Sequence, residues 1–242
     1  MRAGAARCLV LIPAHNEADS LPTVIDEIRG AAPFAELLVV DDGSDDGTHR
    51  IPSALGVRWM RLPQRLGVGG AMRAGLRYAE HLGFDVVVRM DGDGQHRAAD
   101  LGRLLGPITA GTADLVVGTR FAGWERAAGG IIRHGLRRVL AAGLSAATGR
   151  RLTDPTSGFC AFGPRAVRLL SEHHPTGYPE PELLLMAHRN DLRLVEVPIA
   201  PRDRIAGRTT LTHGRAIVAI GRVLLALVVV PLRGAVRASL HD

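Results

Sequence analysis

A chain of 242 residues and 25.8 kDa, 46% hydrophobic, 22% charged and 4% aromatic, has an ordinary globular profile; disorder and collagen-like repeats are excluded, and so few rings leave no nucleic-acid stacking platform. All 30 basic residues are arginine, which excludes Schiff-base, P-loop and kinase chemistry built on a lysine amine. The net charge of +6 is uneven: residues 1–121 hold 13 arginines against 15 acidic residues and residues 122–242 hold 17 against 9, so the second half points to an anionic partner or membrane surface.

The first apolar run, Cys8–Ile12, ends at Pro13 and is too short for a signal peptide. Further strands are predicted at Glu36–Val40, Val57–Leu62, Asp85–Met90 and Asp114–Val117. Helical patterns separate them at Asp19–Arg29, Asp46–Ala54, Gly69–His81 and Ala98–Ile108. Short, continuously apolar strands alternating with helices imply βαβ units and a mostly parallel sheet covered on both faces. After about Phe121 the rhythm changes. A helix is predicted at Ile131–Thr148, a loop at Asp154–Gly158, a strand at Phe159–Phe162 and helices at Arg165–Ser171 and Glu182–Arg189. Strand Leu192–Val197, an arginine-rich loop and a final apolar helix complete the chain. Cys8 and Cys160 form neither a zinc spacing nor a disulfide framework, which fits a reducing compartment.

Ligands in such sheets sit at the carboxyl ends of the strands. Those ends read Pro13-Ala14-His15-Asn16-Glu17, then Asp41-Asp42-Gly43-Ser44, then Asp91-Gly92-Asp93-Gly94-Gln95, then Gly118-Thr119-Arg120. In extended backbone, Asp91 and Asp93 point the same way and repel unless a cation sits between them. A hard divalent cation, Mg²⁺ or Mn²⁺, fills such a gap, and Gln95 continues the alternation. A lone Asp-x-Asp is otherwise a solvated turn; its place at the end of an apolar strand favours metal. Asp45 or Asp46 suits the next helix as a cap, which leaves Asp41 and Asp42 to accept from a base or ribose. The glycines around Gly70 open a helix and serve either phosphate approach or tight packing. His15 and His96 read as surface or loop packing.

Together these blocks resemble family 2 glycosyltransferases, and within them the polyprenol-phosphate (dolichol-phosphate) mannosyl- and glucosyltransferases, over about Cys8 to Thr210. The resemblance implies the GT-A fold: α/β, a Rossmann-like, mostly parallel sheet flanked by helices, here with a C-terminal amphipathic helix. Pro13, Ala14 and Glu17 match the block that cradles the nucleotide. Asp42 beside Asp41 matches the acidic group that contacts base or ribose. Asp91, Asp93 and Gln95 match the metal block that holds the donor diphosphate. Arg120 matches the arginine of the G-S-R block, and Arg133 an arginine further on. Asp154-Pro155-Thr156-Ser157-Gly158-Phe159, Glu196-Val197-Pro198 and Arg204-Ile205-Ala206-Gly207-Arg208-Thr209 match the remaining blocks. Arg65-Leu66-Gly67 departs from the Asn-x-Gly common in the family, and Thr209-Thr210 replaces Ser-Lys.

The implied reaction moves mannose or glucose, with inversion, from GDP-mannose or UDP-glucose to polyprenyl phosphate. The metal and arginines Arg120, Arg133 and Arg204 answer the leaving diphosphate and the acceptor. A phosphate acceptor needs no general base. A hydroxyl acceptor in envelope polysaccharide or glycolipid synthesis does, and Asp154 and Glu182 are then the candidates. Both read equally well as loop hydrogen bonding and helix capping.

The chain divides into a transferase domain, 1–210, and a C-terminal helix, 211–242. The apolar stretch Ala216–Val230 spans roughly 22 Å as a helix against the roughly 30 Å of a bilayer core. Arg222 in its middle opposes insertion. Arg215, Arg222, Arg233 and Arg237 fall within about 60° on a helical wheel, so the helix is expected to lie in the membrane interface. The expected location is cytoplasmic, peripheral at the inner face of the cell membrane, with a small membrane protein as a possible partner and no nucleic acid.

Overall fold

The computed structural model describes residues 6–120, 131–177, 179–200 and 202–203. Strands β1 (Cys8–Ala14), β2 (Glu36–Asp41), β3 (Arg58–Arg61), β4 (Val86–Arg89), β5 (Leu115–Thr119), β6 (Cys160–Phe162) and β7 (Leu194–Pro198) form one sheet in the order β3-β2-β1-β4-β6-β5-β7. Only β6 runs antiparallel among the described strands. The helices are α1 (Leu21–Ala31), α2 (Arg50–Ala54), α3 (Gly67–His81), α4 (Leu101–Thr109), α5 (Ile131–Thr148), α6 (Pro164–His173) and α7 (Pro179–Arg189).

Strand alternation divides the core in two. Leu9, Leu11, Leu38, Val40, Val87 and Val117 face a cluster with Met72 and Leu76 of α3, Leu170 of α6 and Leu184 of α7. Cys8, Val10, Ile12, Val39, Val88 and Val116 face the other way, onto Leu21, Val24 and Ile25 of α1 and Leu104 of α4. The central strands thus bury apolar side chains on both faces, with Arg89 at the end of β4 the charged exception.

The expectation of central strands fails at β3. Arg58 and Arg61 bracket Trp59-Met60, all but Met60 are exposed, and the strand pairs with β2 alone. It is an edge, blunted by charge. Predicted boundaries shift elsewhere for local reasons. The α2 segment begins at Arg50, not Asp46, because the Asp46 carboxylate is committed to the amides of Ala18 (3.0 Å) and Thr48 (2.9 Å). The seventh helix starts earlier, at Pro179, since proline suits the first turn.

The order of strands reverses between β1 and β4, so the crevice beyond their carboxyl ends is the switch point where such sheets bind ligands. At the opposite end of the sheet, Asp114 fixes the register of β5 against β7. It accepts from the Arg193 backbone amide and Nε at 2.9 Å each, and Arg165 adds an ion pair at 3.2 Å. The Arg193 hydrogen bonds, with the charges of Arg165 and Arg193, hold the Asp114 carboxyl down at about 2 against the opposing effect of burial. A carboxyl held low contributes stability above its unfolded value of about 4 and loses it as pH falls towards the folded value. Asp114→Asn should therefore lower the urea midpoint at pH 5, and the gap to wild type should close between about pH 4 and pH 2.

Candidate active site

Two loops at the switch point are laced together. The chain leaves β1 into Asn16, which adopts left-handed φ 57°, a conformation asparagine tolerates. Three successive amides then turn to the second loop: Asn16 donates to Ser44 Oγ (3.0 Å), Glu17 to Thr48 Oγ1 (2.9 Å) and Ala18 to Asp46 Oδ2 (3.0 Å). Asn16 Oδ1 accepts in return from the Asp45 amide. The Glu17 carbonyl accepts from Ser20 and Leu21 and so starts α1. Pro13 and Ala14, predicted to cradle a nucleotide, are the buried end of β1, and the Ala14 carbonyl accepts from the Asp42 amide.

Asp41 and Asp42 are not free, as the sequence reading had them. Asp42 accepts from the amides of Leu66 (2.6 Å) and Gly67 (2.8 Å), which caps α3 from across the fold. Asp41, fully buried, accepts from the Ser44 amide and pairs with Arg61 at 3.2 Å. Gly69 and Gly70 of α3 are explained by packing, and Gly67 by its left-handed φ of 79°. A methyl group on Gly69 would overlap the backbone of Pro175–Thr176, and one on Gly70 would overlap Leu66. Gly70, read as a phosphate contact, lies buried inside the helix.

The metal block is a turn rather than a strand. β4 ends at Arg89, and Gly94 carries φ 78°. Asp93, buried, accepts the Gln95 amide at 2.8 Å, and Gln95 is exposed. The extended alternation expected of Asp91, Asp93 and Gln95 therefore does not hold. The turn brings other groups close. A methyl on Gly92 would overlap the Glu17 carboxylate, so only glycine lets that carboxylate reach the turn. Ser20 Oγ donates to the Gly92 carbonyl at 2.7 Å. His96 packs face to face on Phe159, 4.6 Å between centroids, and its Nδ1 accepts the Asp91 amide. Burial lowers its basicity, so it is neutral with the proton on Nε2. This bears out loop packing for His96, and His15, bonded to the Asp42 carbonyl, serves the same end.

Arg120 and Asp154 form a bidentate pair. Arg120 Nε donates to Oδ2 at 2.7 Å and Nη2 to Oδ1 at 2.9 Å, while Nη2 also reaches Thr156 Oγ1 at 3.1 Å. Glu196, of the E-V-P block, accepts the amides of Thr153 (2.9 Å) and Asp154 (3.2 Å) and sets this turn. Burial raises the Asp154 carboxyl, but the Arg120 hydrogen bonds and charge outweigh it and hold the group below the usual range. A carboxylate so held is a weak proton acceptor, and its two oxygens hold the Arg120 guanidinium in place. Glu182 lies in the first turn of α7, beside Gly177.

Sequence reasoning missed Arg89 and Glu180. Arg89 is 5% exposed at the end of an apolar strand. Its Nε meets Asp91 Oδ1 and its Nη1 meets Glu180 Oε1, each at 2.9 Å. The signal was available, since an arginine inside an apolar run must be paired to be buried. Arg202 also reaches the turn, with Nε donating to the Gly94 carbonyl (2.6 Å) and Nη1 pairing with Glu27 (2.7 Å). The side chain of Arg133, though its helix is α5, lies outside the described residues, as do Arg204, Arg208, Thr209 and the C-terminal helix.

The Glycosyl transferase family 2 model matches residues 9–162, which contain the loops after β1, β2, β4 and β5. The chain belongs to glycosyl transferase family 2. This glycosyltransferase is 34% identical to the polyprenol monophosphomannose synthase of Mycolicibacterium smegmatis over 83% of its own length and 79% of that protein. It is likewise 34% identical to the undecaprenyl-phosphate mannosyltransferase of Micrococcus luteus, over 86% and 88%. Among solved structures, glucosyl-3-phosphoglycerate synthase of Mycobacterium tuberculosis superimposes with a TM-score of 0.72 at 25% identity, over 93% of this chain and 80% of that one. A further structure of that enzyme contains Mn²⁺, UDP and glucosyl-3-phosphoglycerate. The described sheet, in which only β6 runs antiparallel among the described strands, and these neighbours bear out the GT-A fold.

Proposed function

We propose that this glycosyltransferase moves a hexose from a nucleotide diphospho-sugar to polyprenyl phosphate, with inversion in one in-line displacement. The observation that carries this reading is the commitment of four carboxylates around the site. Asp154 is committed to Arg120, Asp91 and Glu180 share Arg89, and Asp42 is taken by two amides. An acceptor that must lose a proton needs a carboxylate with a proton affinity near working pH. A lipid phosphate arrives as an anionic nucleophile and needs only cations to hold it. Arg120 suits that role, with Arg133 and Arg204 expected to join it. The two mannosyltransferase relatives act, by their names, on such lipid phosphates.

Hard oxygen donors on the Asp91–Asp93 turn fit a divalent cation, Mg²⁺ or Mn²⁺. Among the described residues no three His, Cys, Asp or Glu are placed to hold a metal alone. That suits a site which one or two carboxylates begin and a diphosphate completes. Gly92, by admitting the Glu17 carboxylate, keeps the turn compact around that position. Asp91 and Asp93 would hold the ion, without the Gln95 side chain, which the turn leaves exposed. The ion would neutralise charge developing on the leaving diphosphate.

Among the described residues no helix is long and apolar enough to cross a membrane. The proposed arrangement is a transferase domain over 1–210 and an interfacial helix over 211–242, peripheral at the cytoplasmic face, with a small membrane protein as a further partner. The test is transfer of radiolabelled sugar from GDP-mannose and UDP-glucose, separately, to polyprenyl phosphate, with Mg²⁺ or with EDTA. The expected product is organic-extractable, labile to mild acid and formed only with metal. Donor binding without lipid product would overturn the acceptor assignment in favour of a hydroxyl.

A further inference from the structure

Arg89 is the one strongly buried arginine at the carboxyl ends of the described strands, and its fork joins three segments. One side holds Asp91, at 2.9 Å to Oδ1 and 3.3 Å to Oδ2. The other holds Glu180 on α7 at 2.9 Å. The face packs on Gly158 of the Asp154–Phe159 loop, where a methyl group would fall 2.6 Å from Nη2. The pair is asymmetric in purpose. A carboxylate that is to share a metal ion is weakened by a guanidinium on its own oxygens, because the cation beside it repels the ion. Glu180 draws on the same guanidinium from the far side and returns a negative charge to the site. Its charge reaches as far as Arg120, whose positive form it favours together with Asp154 and Asp91.

We propose that Arg89 and Glu180 act as a charge-balanced positioning pair that sets how tightly the Asp91–Asp93 turn takes a divalent cation. The inference rests on the reading of that turn as the donor's cation site. Neither residue touches the ion. Arg89 orients the Asp91 carboxylate and opposes the ion, and Glu180 offsets that opposition.

The signature is a pair of opposite shifts. Mn²⁺ binding is read by electron paramagnetic resonance of free Mn²⁺, with UDP or GDP present and no acceptor. Glu180→Gln leaves Arg89 uncompensated and should weaken Mn²⁺ binding about tenfold, given two unit charges of the ion acting across several ångströms. Arg89→Met removes the opposing charge and should tighten it. Arg89→Met/Glu180→Met removes one charge of each sign and should bind within about threefold of wild type. A merely structural role would weaken binding in all three variants, and that result overturns the proposal, as does unchanged affinity in Glu180→Gln. Should a single variant fail to fold, the double variant decides: affinity near wild type supports the pair, and a tenfold loss sinks it. A wild-type chain that binds no Mn²⁺ with either nucleotide removes the cation reading and this inference together. The lipid-transfer assay is scored independently of all these outcomes.

Discussion

Asp93→Asn should reduce sugar transfer by about two to three orders of magnitude while leaving the thermal midpoint nearly unchanged. The magnitude follows from removing one preorganised charge that answers the leaving diphosphate. The retained fold follows from what Asp93 does locally. Its Oδ1 accepts the Gln95 amide at 2.8 Å, and an asparagine oxygen can accept the same bond. Charge and turn are thus separated by one substitution. Turnover should fall at every metal concentration, and circular dichroism melts should overlay those of wild type. A variant with near-normal turnover would remove Asp93 from the chemistry.

Asp154→Asn should damage both stability and turnover. Asp154 is 1% exposed, and its partner Arg120 keeps a quarter of its side chain in solvent (27%), so the cost lies below that of a fully buried pair. A loss of about 2–4 kcal/mol is expected, or roughly 5–12 °C in the midpoint for a chain of this size. Activity loss alone would not separate a positioning role from a proton-accepting one. A cycle with Arg120→Gln does. If Asp154 acts through Arg120, the double variant is no slower than Arg120→Gln alone. A second, multiplicative loss would return Asp154 to the role of general base and favour a hydroxyl acceptor.

Much of the first half was legible because its strands are buried on both faces. Where burial is complete, as in β1, β4 and β5, a run of apolar residues marks the element, closed in β4 by Arg89, and its end marks the site. The reading erred where a run was short and mixed. Trp59 and Met60 look like core, yet β3 is an edge, and nothing within four residues says which side lacks a neighbour. The site was legible as a set of loops and less so as a set of roles. Asp42 and Asp154 carry charge in loops, which is all a sequence displays. That one caps a helix starting at Gly67 and the other clasps an arginine 34 residues away depends on tertiary contact. Arg89 shows the reverse case. Its burial was implied by its place in an apolar strand, but its partner Glu180 lies 91 residues on, and no local pattern joins them.

The two thiols lie in the core, Cys8 on β1 and Cys160 on β6. Burial pushes Cys8 up to about 11 and Cys160 up to about 12. At neutral pH almost none of either is thiolate, the form that maleimides attack, and neither sulfur faces solvent. The chain also has no lysine amine. Its native surface is therefore nearly silent to both common coupling chemistries. A single cysteine placed on the exposed edge at Trp59 or on α5 at Val139 should take a fluorophore or spin label selectively, with no need to strip the native sulfurs first. Distances from each label to a lipid surface could then be read on an otherwise unaltered enzyme.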